Sequence, residues 1–536
     1  MEPIEADYIV VGAGSAGCVV AARLSEDAMT KVLLLEAGGP DRNPWIHIPL
    51  GYGKTIADPK INWCYETEPD LNGRRFFWPR GKVLGGSSSI NGLVYIRGQA
   101  QDFDQWRQFG NVGWSFDDVL PFFRRAEDKV GGGDDWHGTG GPLAVSDIDE
   151  EDPISHAFVS SALGLGFPRN DDFNGPVQEG AGYYQLTTRN GRRCSTAVGY
   201  LRPAMKRRNL RVITHALSEQ IMLEGRRAVG VKWREHGRTR IATARREVIL
   251  CAGALNSPHL LLLSGIGPSA HLAEHGIEVR HDLPGVGQSL QDHYQARIVL
   301  QCTQPITTND IMMSKLRMLR TGLRYVIARK GPLTIAAAQA GLFARTRQGL
   351  ETPDVQFATV IRSSDRTVER LHRFSGFTVL VYQLRPESRG ELKLKSPDPA
   401  VPPAMHPNYL SAETDRRTMI DGLKLGRRLL NTPEMQRFIA SEFIPGDAVQ
   451  SDDEFLDYAR QYGGTVSHAS STCKMGSDPM AVVDAELRVH GIGGLRVVDG
   501  SIMPTIVSGN PNAATIMIAE KAADMIREPS SLAAAA

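Results

Sequence analysis

The segment that most restricts the fold of this chain is DYIVVGAGSAGCVVAARL, which begins at Asp7. It reads as an apolar β-strand, a turn that contains Gly12, Gly14 and Gly17, and a helical pattern that begins near Ser15. In such a unit Gly12 permits a tight turn, Gly14 lets the backbone approach a pyrophosphate, and the start of the helix offers free N–H groups to an anion. The segment therefore predicts a Rossmann-like unit that binds a dinucleotide.

A second apolar run, KVLLLEAG, follows the helix and predicts a strand that ends at Glu36. A carboxylate at this place in a dinucleotide-binding fold can bind a ribose hydroxyl group. Glycines also occur in ordinary turns, so their spacing alone is weak evidence, but two strands and an acid in the right order agree with it. NAD and FAD share this fingerprint, and the choice between them must come from elsewhere in the chain.

The stretch WPRGKVLGGSSSINGLVYIRG, from Trp78 to Gly98, is the second unusual segment. Its glycines and three consecutive serines make a poor helix or strand, but they bring backbone N–H groups close to a flat or anionic ligand. The alternative is a glycine-rich surface loop. Its apolar end, LVYI, indicates that the loop is anchored in a core.

Composition limits the classes of partner. The chain has 536 residues, 61 basic and 60 acidic, so its formal net charge is +1 and nothing overall favours nucleic acid. No run of 18 to 20 uncharged apolar residues is present, which predicts no transmembrane segment, although association with a membrane surface stays open. The six cysteines are scattered without a metal-binding spacing, so we expect no metal site and a reducing cytoplasm.

Several motifs together resemble one family. Along nearly its whole length the chain is similar to the glucose-methanol-choline (GMC) flavoprotein oxidoreductases, and within them to the bacterial FAD-dependent alcohol dehydrogenases that include choline, polyethylene glycol and aliphatic alcohol dehydrogenases. The motifs are VGAGSAG, GKVLGGSSSIN at 81–91, GALNSPHLLLLSGIG at 253–267, LPGVGQSLQDH at 283–293, SHASSTCKMG at 467–476 and VVDGSIMP at 497–504.

The resemblance implies that the cofactor is FAD, which leaves NAD as the alternative. It also implies a non-covalent link, because Ile90 stands where some choline-oxidising relatives have the histidine that bonds to the flavin. The cofactor-binding residues that the resemblance implies are Gly12, Gly14, Ser15, Gly17, Glu36, Ala37, Trp63, Val83, Gly86, Ser87, Asn91, Gly92, Leu93, Val94, Leu217, Asp499 and Gly500.

The catalytic residues implied by the resemblance are His468 and, 44 residues later, Asn512. His468 would accept the hydroxyl proton of an alcohol while its hydride passes to flavin N5, and Asn512 would hydrogen-bond the substrate oxygen. From the residues alone, His468 is one of 14 histidines, and Asn510 and Asn512 could simply cap the helix predicted after Pro511.

The function implied is oxidation of an alcohol to an aldehyde. We expect a neutral primary alcohol as substrate and a quinone or redox protein, rather than oxygen, as electron acceptor. The alternatives are a choline dehydrogenase, an oxygen-using alcohol oxidase, a hydroxynitrile-lyase-like enzyme and a non-catalytic flavoprotein. The segment SHASSTCKMG departs from the HPVGTCRMG of many relatives, so Ala469 and Ser470 leave the shape of the pocket there undetermined.

The fold class expected is α/β, or α+β overall. The resemblance implies a discontinuous Rossmann-like FAD-binding domain at 1–155, 205–300 and 460–536, and a substrate-binding domain at 156–204 and 301–459. In the runs FTVLVYQL and GELKLK the residue types alternate as they do in a β-strand, which suits an antiparallel sheet above the flavin. The last residues, EPSSLAAAA, read as a loose tail.

Overall fold

The computed structural model describes residues 4–365 and 370–527. The tail predicted at 528–536 lies outside these residues. Two seven-stranded sheets organise the chain, one mixed and one antiparallel, with helices packed around them. This confirms the predicted fold class.

The first sheet contains the predicted dinucleotide unit. Strand Ile4–Val11 leads through the glycine turn into helix Ser15–Leu24, and strand Val32–Leu35 then pairs in parallel with the first strand. Both strands are almost wholly buried, which explains why they are continuous apolar runs rather than alternating ones. In space the sheet runs in the order Leu210–Ile213, Val32–Leu35, Ile4–Val11, Arg238–Leu250, Arg227–Glu235 and Ala216–Glu224, and Leu495–Val497 pairs with Arg238–Leu250.

The parallel strands of this sheet end on one edge. Val11, Leu35, Leu250 and Val497 are the last residues of four of them. Ligands of open α/β sheets bind beyond the carboxyl ends of the strands, because loops and helix starts converge there. This edge is therefore the expected position of a site.

The second sheet is antiparallel throughout. It runs in the order Ile439–Ile444, Tyr294–Cys302, Gly376–Gln383, Val355–Val360, Ala340–Ala344 and Gly180–Tyr183, and Gly464–Thr465 also pairs with Tyr294–Cys302. The run FTVLVYQL is the strand Gly376–Gln383, as expected. GELKLK is not part of this sheet, because its strand Glu391–Lys393 pairs only with Ala404–His406 in a separate ribbon.

Side chains alternate between the two faces of this sheet, and the two faces have different neighbours. Ile298 points toward helix Glu413–Leu430, where a methyl group added at Gly426 would lie 2.9 Å from Ile298 Cδ1. Gln295 and Arg297, on the opposite face of the same strand, line the main cavity of the molecule. One face therefore packs on a helix and the other covers the cavity.

The helices are mostly of ordinary length. Their bounds are Ser15–Leu24, Pro44–His47, Tyr52–Thr55, Ala100–Gln108, Phe116–Ala126, Pro153–Gly164, Arg202–Ala204, Gly253–Leu263, Ser269–Glu274, Thr308–Met313, Lys315–Ala328, Glu413–Leu430, Pro433–Gln436, Asp452–Tyr462 and Asn512–Arg527. In the described part of the chain, none is both long and apolar enough to cross a membrane.

The domain division stays a proposal, and the sheets suggest adjusting it. The strand Tyr294–Cys302 crosses the boundary expected at 300, and Gly464–Thr465 lies beyond the one expected at 460, yet both belong to the antiparallel sheet. A division by sheets would assign both segments to the substrate-binding domain.

Candidate active site

A cavity of about 590 Å³ lies between the carboxyl edge of the first sheet and the covering face of the second. Its walls bring together segments from both ends of the chain. Of the predicted site residues, those that line it are Gly12, Gly14, Ser15, Glu36, Ala37, Trp63, Gly86, Ser87, Asn91, Gly92, Leu93, Val94, Leu217, His468, Asp499, Gly500 and Asn512.

Two predicted residues are not in the lining. Val83 is fully buried in a small cluster with Ile46, Ile61 and Ile90, so it supports the loop from below rather than facing the cavity. Gly17 packs against the turn, since an added Cβ would lie 1.8 Å from the carbonyl oxygen of Gly12. Both positions are structural because neighbouring backbone or side chains fill the space around them.

The glycine turn has the geometry that an anion-binding loop needs. Gly12 has φ +96°, and a Cβ there would lie 2.7 Å from Cys251 O. At Gly14 the nearest atom to an added Cβ is 3.9 Å away, so its backbone borders open cavity. No side chain caps the following helix, Ser15–Leu24, and its first N–H groups are free to bind phosphate. These residues fit the pyrophosphate of a dinucleotide such as FAD.

Glu36 follows the second strand and is buried. Its carboxylate accepts hydrogen bonds from Ala13 N at 2.8 Å and Gly38 N at 2.7 Å. Burial raises the pKa of Glu36 to about 7, against the effect of these two donors. Glu36 therefore fixes the glycine turn and at the same time lies in the cavity wall, near Leu217, where a ribose would be held.

Asp499 joins three segments at the carboxyl edge. It accepts hydrogen bonds from Gly253 N at 2.8 Å, from Ser257 Oγ at 2.6 Å and from Ser501 N at 2.8 Å. Its carboxylate is thus already paired at the start of helix Gly253–Leu263. The resemblance implies that Asp499 contacts the cofactor, and the structure adds this role in holding the motif at 253–267.

The serine-rich loop is held by a residue that sequence reasoning missed. Arg193, buried, donates from Nη1 to Asn91 Oδ1 at 2.6 Å, from Nη2 to Asn91 O at 2.7 Å and from Nη1 to Ser88 O at 3.1 Å. Burial lowers the pKa of Arg193 to about 9. This guanidinium orders the backbone that faces the cavity, and only its place in the fold identifies it.

His468 contacts a second histidine that the sequence did not single out. His468 Nδ1 lies 2.9 Å from His293 Nδ1, and His293 Nε2 lies 2.9 Å from Leu384 O. A carbonyl oxygen only accepts, so His293 Nε2 carries the hydrogen and donates it, which leaves His293 Nδ1 as an acceptor. His468 Nδ1–H must then donate to it, and His468 Nε2 keeps its lone pair.

The electrostatic surroundings keep both histidines neutral. Burial lowers the pKa of His293 to about 4. Burial also lowers the pKa of His468 well below its usual value, and the positive charges of His293, when protonated, and Arg80 add to this effect. His468 Nε2 is therefore unprotonated at neutral pH, which is the state that a general base requires.

The backbone of His468 is fixed by Asp292, the neighbour of His293. His468 N donates to Asp292 Oδ1 at 2.6 Å, and the same carboxylate accepts from Tyr409 Oη and Thr465 Oγ1. Asp292 and His293 belong to LPGVGQSLQDH, one of the motifs that support the family resemblance, although no role was assigned to them. An adjacent acid and histidine in such a motif were the signal that could have revealed them.

The two asparagines before the last helix take different partners. Asn510 Nδ2 lies 3.2 Å from His468 Nε2, to which it donates, whereas Asn512 Oδ1 accepts from Ser15 Oγ at 2.7 Å. Both line the cavity, and helix Asn512–Arg527 begins there. Asn512 thus lies beside the glycine turn. The direct neighbour of His468 is Asn510, for which the sequence predicted only a helix-capping role.

Comparison with known proteins identifies the family of the chain. Models of the N-terminal and C-terminal parts of GMC oxidoreductases match residues 6–295 and 386–519. The chain is 44% identical to an oxygen-dependent choline dehydrogenase of Brucella ovis, over 98% of this chain and 96% of that one. It is also 44% identical to an alcohol dehydrogenase [acceptor] of Pseudomonas putida, over 97% and 95%. The chain belongs to the GMC oxidoreductase family.

Solved structures share the fold. Pyridoxine 4-oxidase from Mesorbium loti matches with a TM-score of 0.89 and 31% identity, over 98% of this chain and 99% of that one. A formate oxidase of Aspergillus oryzae, studied for the effect of a mutation on FAD modification, matches with a TM-score of 0.93 and 26% identity, over 99% of both chains. The prediction of a family made from motifs is thereby confirmed.

Proposed function

We propose that this protein oxidises a primary alcohol to an aldehyde with FAD as its cofactor. The observation on which the proposal rests is the histidine pair, because it leaves the lone pair of His468 Nε2 in the wall of the cavity. Family membership supports the choice of FAD, and the open turn at Gly14 and the buried Glu36 fit the dinucleotide part of that cofactor.

The cofactor would occupy the cavity from the glycine turn to the histidine. Gly12, Gly14 and the start of helix Ser15–Leu24 would hold the pyrophosphate, and Glu36 the adenosine ribose. The loop ordered by Arg193 would contact the flavin. When bound, FAD supplies a hydride acceptor, a chemistry that no side chain of the protein can provide.

The protein's own residues would orient the substrate and accept its proton. His468 Nε2 would accept the proton of the substrate hydroxyl group, and the Nδ1–H bond to His293 would stabilise the imidazolium that forms. Asn512 Nδ2 has no hydrogen-bond partner among the described residues and would donate to the substrate oxygen. The free N–H groups at the start of helix Asn512–Arg527 place partial positive charge at the same wall.

The lining favours an uncharged alcohol over choline. Among the described lining residues the carboxylates are Glu36 and Asp499, and both already accept backbone hydrogen bonds. A quaternary ammonium group is usually held by aromatic faces. The protein's own cations cover two of the rings in the wall, since Arg362 Cζ lies 5.2 Å from the centroid of Tyr52 and Lys82 Nζ lies 4.3 Å from that of Trp63.

Choline is the second candidate substrate, and the specific observation in its favour is that relatives 44% identical to this chain are named choline dehydrogenases. For the acceptor we propose a quinone or a redox protein, by analogy with the relative named alcohol dehydrogenase [acceptor]. The names of other neighbours include oxidases, so oxygen is the alternative to exclude.

The test is anaerobic reduction of the bound flavin. Purified protein is mixed with each member of a panel of linear primary alcohols, a benzylic alcohol, a secondary alcohol and choline, while the visible absorbance of oxidised flavin is followed. We expect a primary alcohol to bleach the flavin fastest. If choline alone bleaches the flavin fast, the substrate is choline and not a neutral alcohol. If none of the compounds bleaches the flavin, the proposed oxidation is wrong.

A further inference from the structure

One surface of the molecule is an apolar helix face that no other described segment covers. Helix Lys315–Ala328 has the sequence KLRMLRTGLRYVIA. Six of its large apolar side chains are exposed, one of them Met318 at 37%. The other five share one side of the helix, and we call them the apolar face: Leu316 at 76%, Leu319 at 61%, Leu323 at 51%, Val326 at 68% and Ile327 at 81%. Single exposed apolar residues are common, but a contiguous group marks an interaction site.

The helical repeat places these five residues side by side. Their spacing of three, four, three and one residues is that of one stripe along a helix. The other side of the helix attaches it to the protein: Tyr325 is 3% exposed and its Oη donates to Gly191 O at 3.0 Å. The helix is therefore fixed to the molecule by one side and presents the apolar stripe to solvent with the other.

Basic residues border the apolar face. Between 315 and 330 the chain has Lys315, Arg317, Arg320, Arg324, Arg329 and Lys330 and no acidic residue. Arg324 pairs with Glu150, and Arg317 Nη1 donates to Pro305 O. For Lys315 and Arg320 no ion pair with another described residue is present. The helix thus combines an apolar stripe with positive flanks.

The neighbouring helix extends this surface. Met312 is 49% exposed and Met313 51%, at the end of Thr308–Met313. After helix Lys315–Ala328 the chain turns through Pro332–Thr334 and reaches Ala337 and Ala338, which line the main cavity. The apolar face therefore lies on the same stretch of chain that closes one side of the candidate active site.

Charge decides which partner this surface fits. A helix with an apolar stripe and Lys or Arg along its polar side is the kind that lies in the headgroup region of an anionic bilayer. A second copy of this chain is a poorer fit, because a symmetric contact through the apolar face would bring the two sets of basic residues together. A neutral protein groove would leave the positive flanks without partners.

We propose that the apolar face of helix Lys315–Ala328 docks the protein on the surface of a membrane that contains anionic lipids. Leu316, Leu319, Leu323, Val326 and Ile327 insert among the acyl chains near the headgroups, and Lys315, Arg317 and Arg320 contact lipid phosphates. The docking stands independently of the alcohol oxidation proposed above. If both hold, the helix at the lipid surface is followed within about ten residues by Ala337 and Ala338 of the cavity wall.

The experiment is flotation of flavin-loaded, full-length protein with vesicles. One set contains phosphatidylcholine alone and the other contains phosphatidylcholine with phosphatidylglycerol. We expect binding to the second set that is weakened by salt, because the Debye length falls from about 10 Å at 0.1 M to about 3 Å at 1 M. The double variant Leu319→Glu with Leu323→Glu should bind at least about tenfold less well, since it puts charge into the inserted stripe.

Controls separate insertion from general changes. Met29→Glu alters an apolar side chain that is 84% exposed elsewhere on the surface, and it should bind as the wild type does. Arg320→Gln should weaken binding to the anionic vesicles only. Flavin content and anaerobic reduction by alcohol should be the same in all of these variants, so a failure of the oxidation would not be mistaken for a failure of docking.

Three results would overturn the proposal. In the first, the wild type floats with neither vesicle set. In the second, the double variant binds as well as the wild type does. In the third, the wild type binds no vesicles and forms a dimer, and the double variant is a monomer. The last result would instead assign the apolar face to contact between copies of this chain.

Discussion

The Nδ1 atoms of His468 and His293 lie 2.9 Å apart, although 175 residues separate the two histidines in sequence. Because His293 Nε2 donates to Leu384 O, this contact determines which nitrogen of His468 carries a hydrogen. The nitrogen without one, Nε2, belongs to the cavity wall. The pair therefore defines the proton acceptor of the proposed reaction.

Replacing the base should nearly abolish reduction of the flavin. We expect His468→Ala to slow anaerobic reduction by alcohol by about 10² to 10⁴-fold, the usual contribution of a general base. Asn512→Ala should cost less, since it removes an orienting hydrogen bond and not the proton acceptor. Stopped-flow absorbance measures both, with flavin content as the control. A near wild-type rate in flavin-loaded His468→Ala would mean that another residue takes the proton.

Removing the second histidine should act through the first. In His293→Leu the Nδ1–H of His468 loses its buried acceptor, so the hydrogen is no longer confined to Nδ1. We expect the reduction rate to fall at least about tenfold while the apparent affinity for alcohol changes little. His293→Gln, which can offer an acceptor oxygen, should recover part of the rate. Equal rates for His293→Leu and wild type would remove His293 from the mechanism.

The pH dependence of reduction should be displaced toward acid. An ordinary histidine base would lose half its activity at about pH 6.5. Burial lowers the pKa of His468 well below that value, so the neutral form persists to lower pH. We expect a constant rate from about pH 9 down to about pH 6 and a fall only at more acid pH. A rate that still rises steeply between about pH 6 and about pH 8 would contradict the lowered pKa.

The flavin should leave the protein on acid precipitation. Ile90, 3% exposed and packed with Ile46, Ile61 and Val83, has no nucleophile with which to bond the cofactor. Yellow FAD is expected in the supernatant, with its spectrum and chromatographic mobility as proof. Flavin retained by the washed pellet would show a covalent link formed by some other residue.

Oxygen should be a poor electron acceptor. Turnover with a phenazine or quinone acceptor is expected to exceed turnover with oxygen by well over about tenfold, or more than about 1.4 kcal/mol in activation free energy. Peroxide release and acceptor reduction are measured side by side with the same alcohol. Comparable rates would make the protein an oxidase.

The glycine turn shows how much local sequence determines. Gly12, Gly14 and Glu36 were predicted from a strand, a turn and a helix that are contiguous in the chain, and the structure places all three in the cavity wall. Helix Ser15–Leu24, strand Gly376–Gln383 and helix Asn512–Arg527 likewise follow from patterns within one segment. These elements can be predicted because the period of their apolar residues is visible in the sequence, and the hydrogen bonds of the helices form within one segment.

Asn510 and the apolar face show what the sequence alone left open. Nothing local distinguishes Asn510 from Asn512, yet one donates to His468 Nε2 and the other accepts from Ser15 Oγ. The period of Lys315–Ala328 identifies an apolar stripe, but a stripe of this kind usually packs inward, and here Tyr325 takes the inward side. The sequence by itself determined several of the elements, the family and the cofactor-binding turn. The partners of His468 and the outward face of the helix were decided by tertiary packing, because each depends on where residues far apart in the chain come to lie.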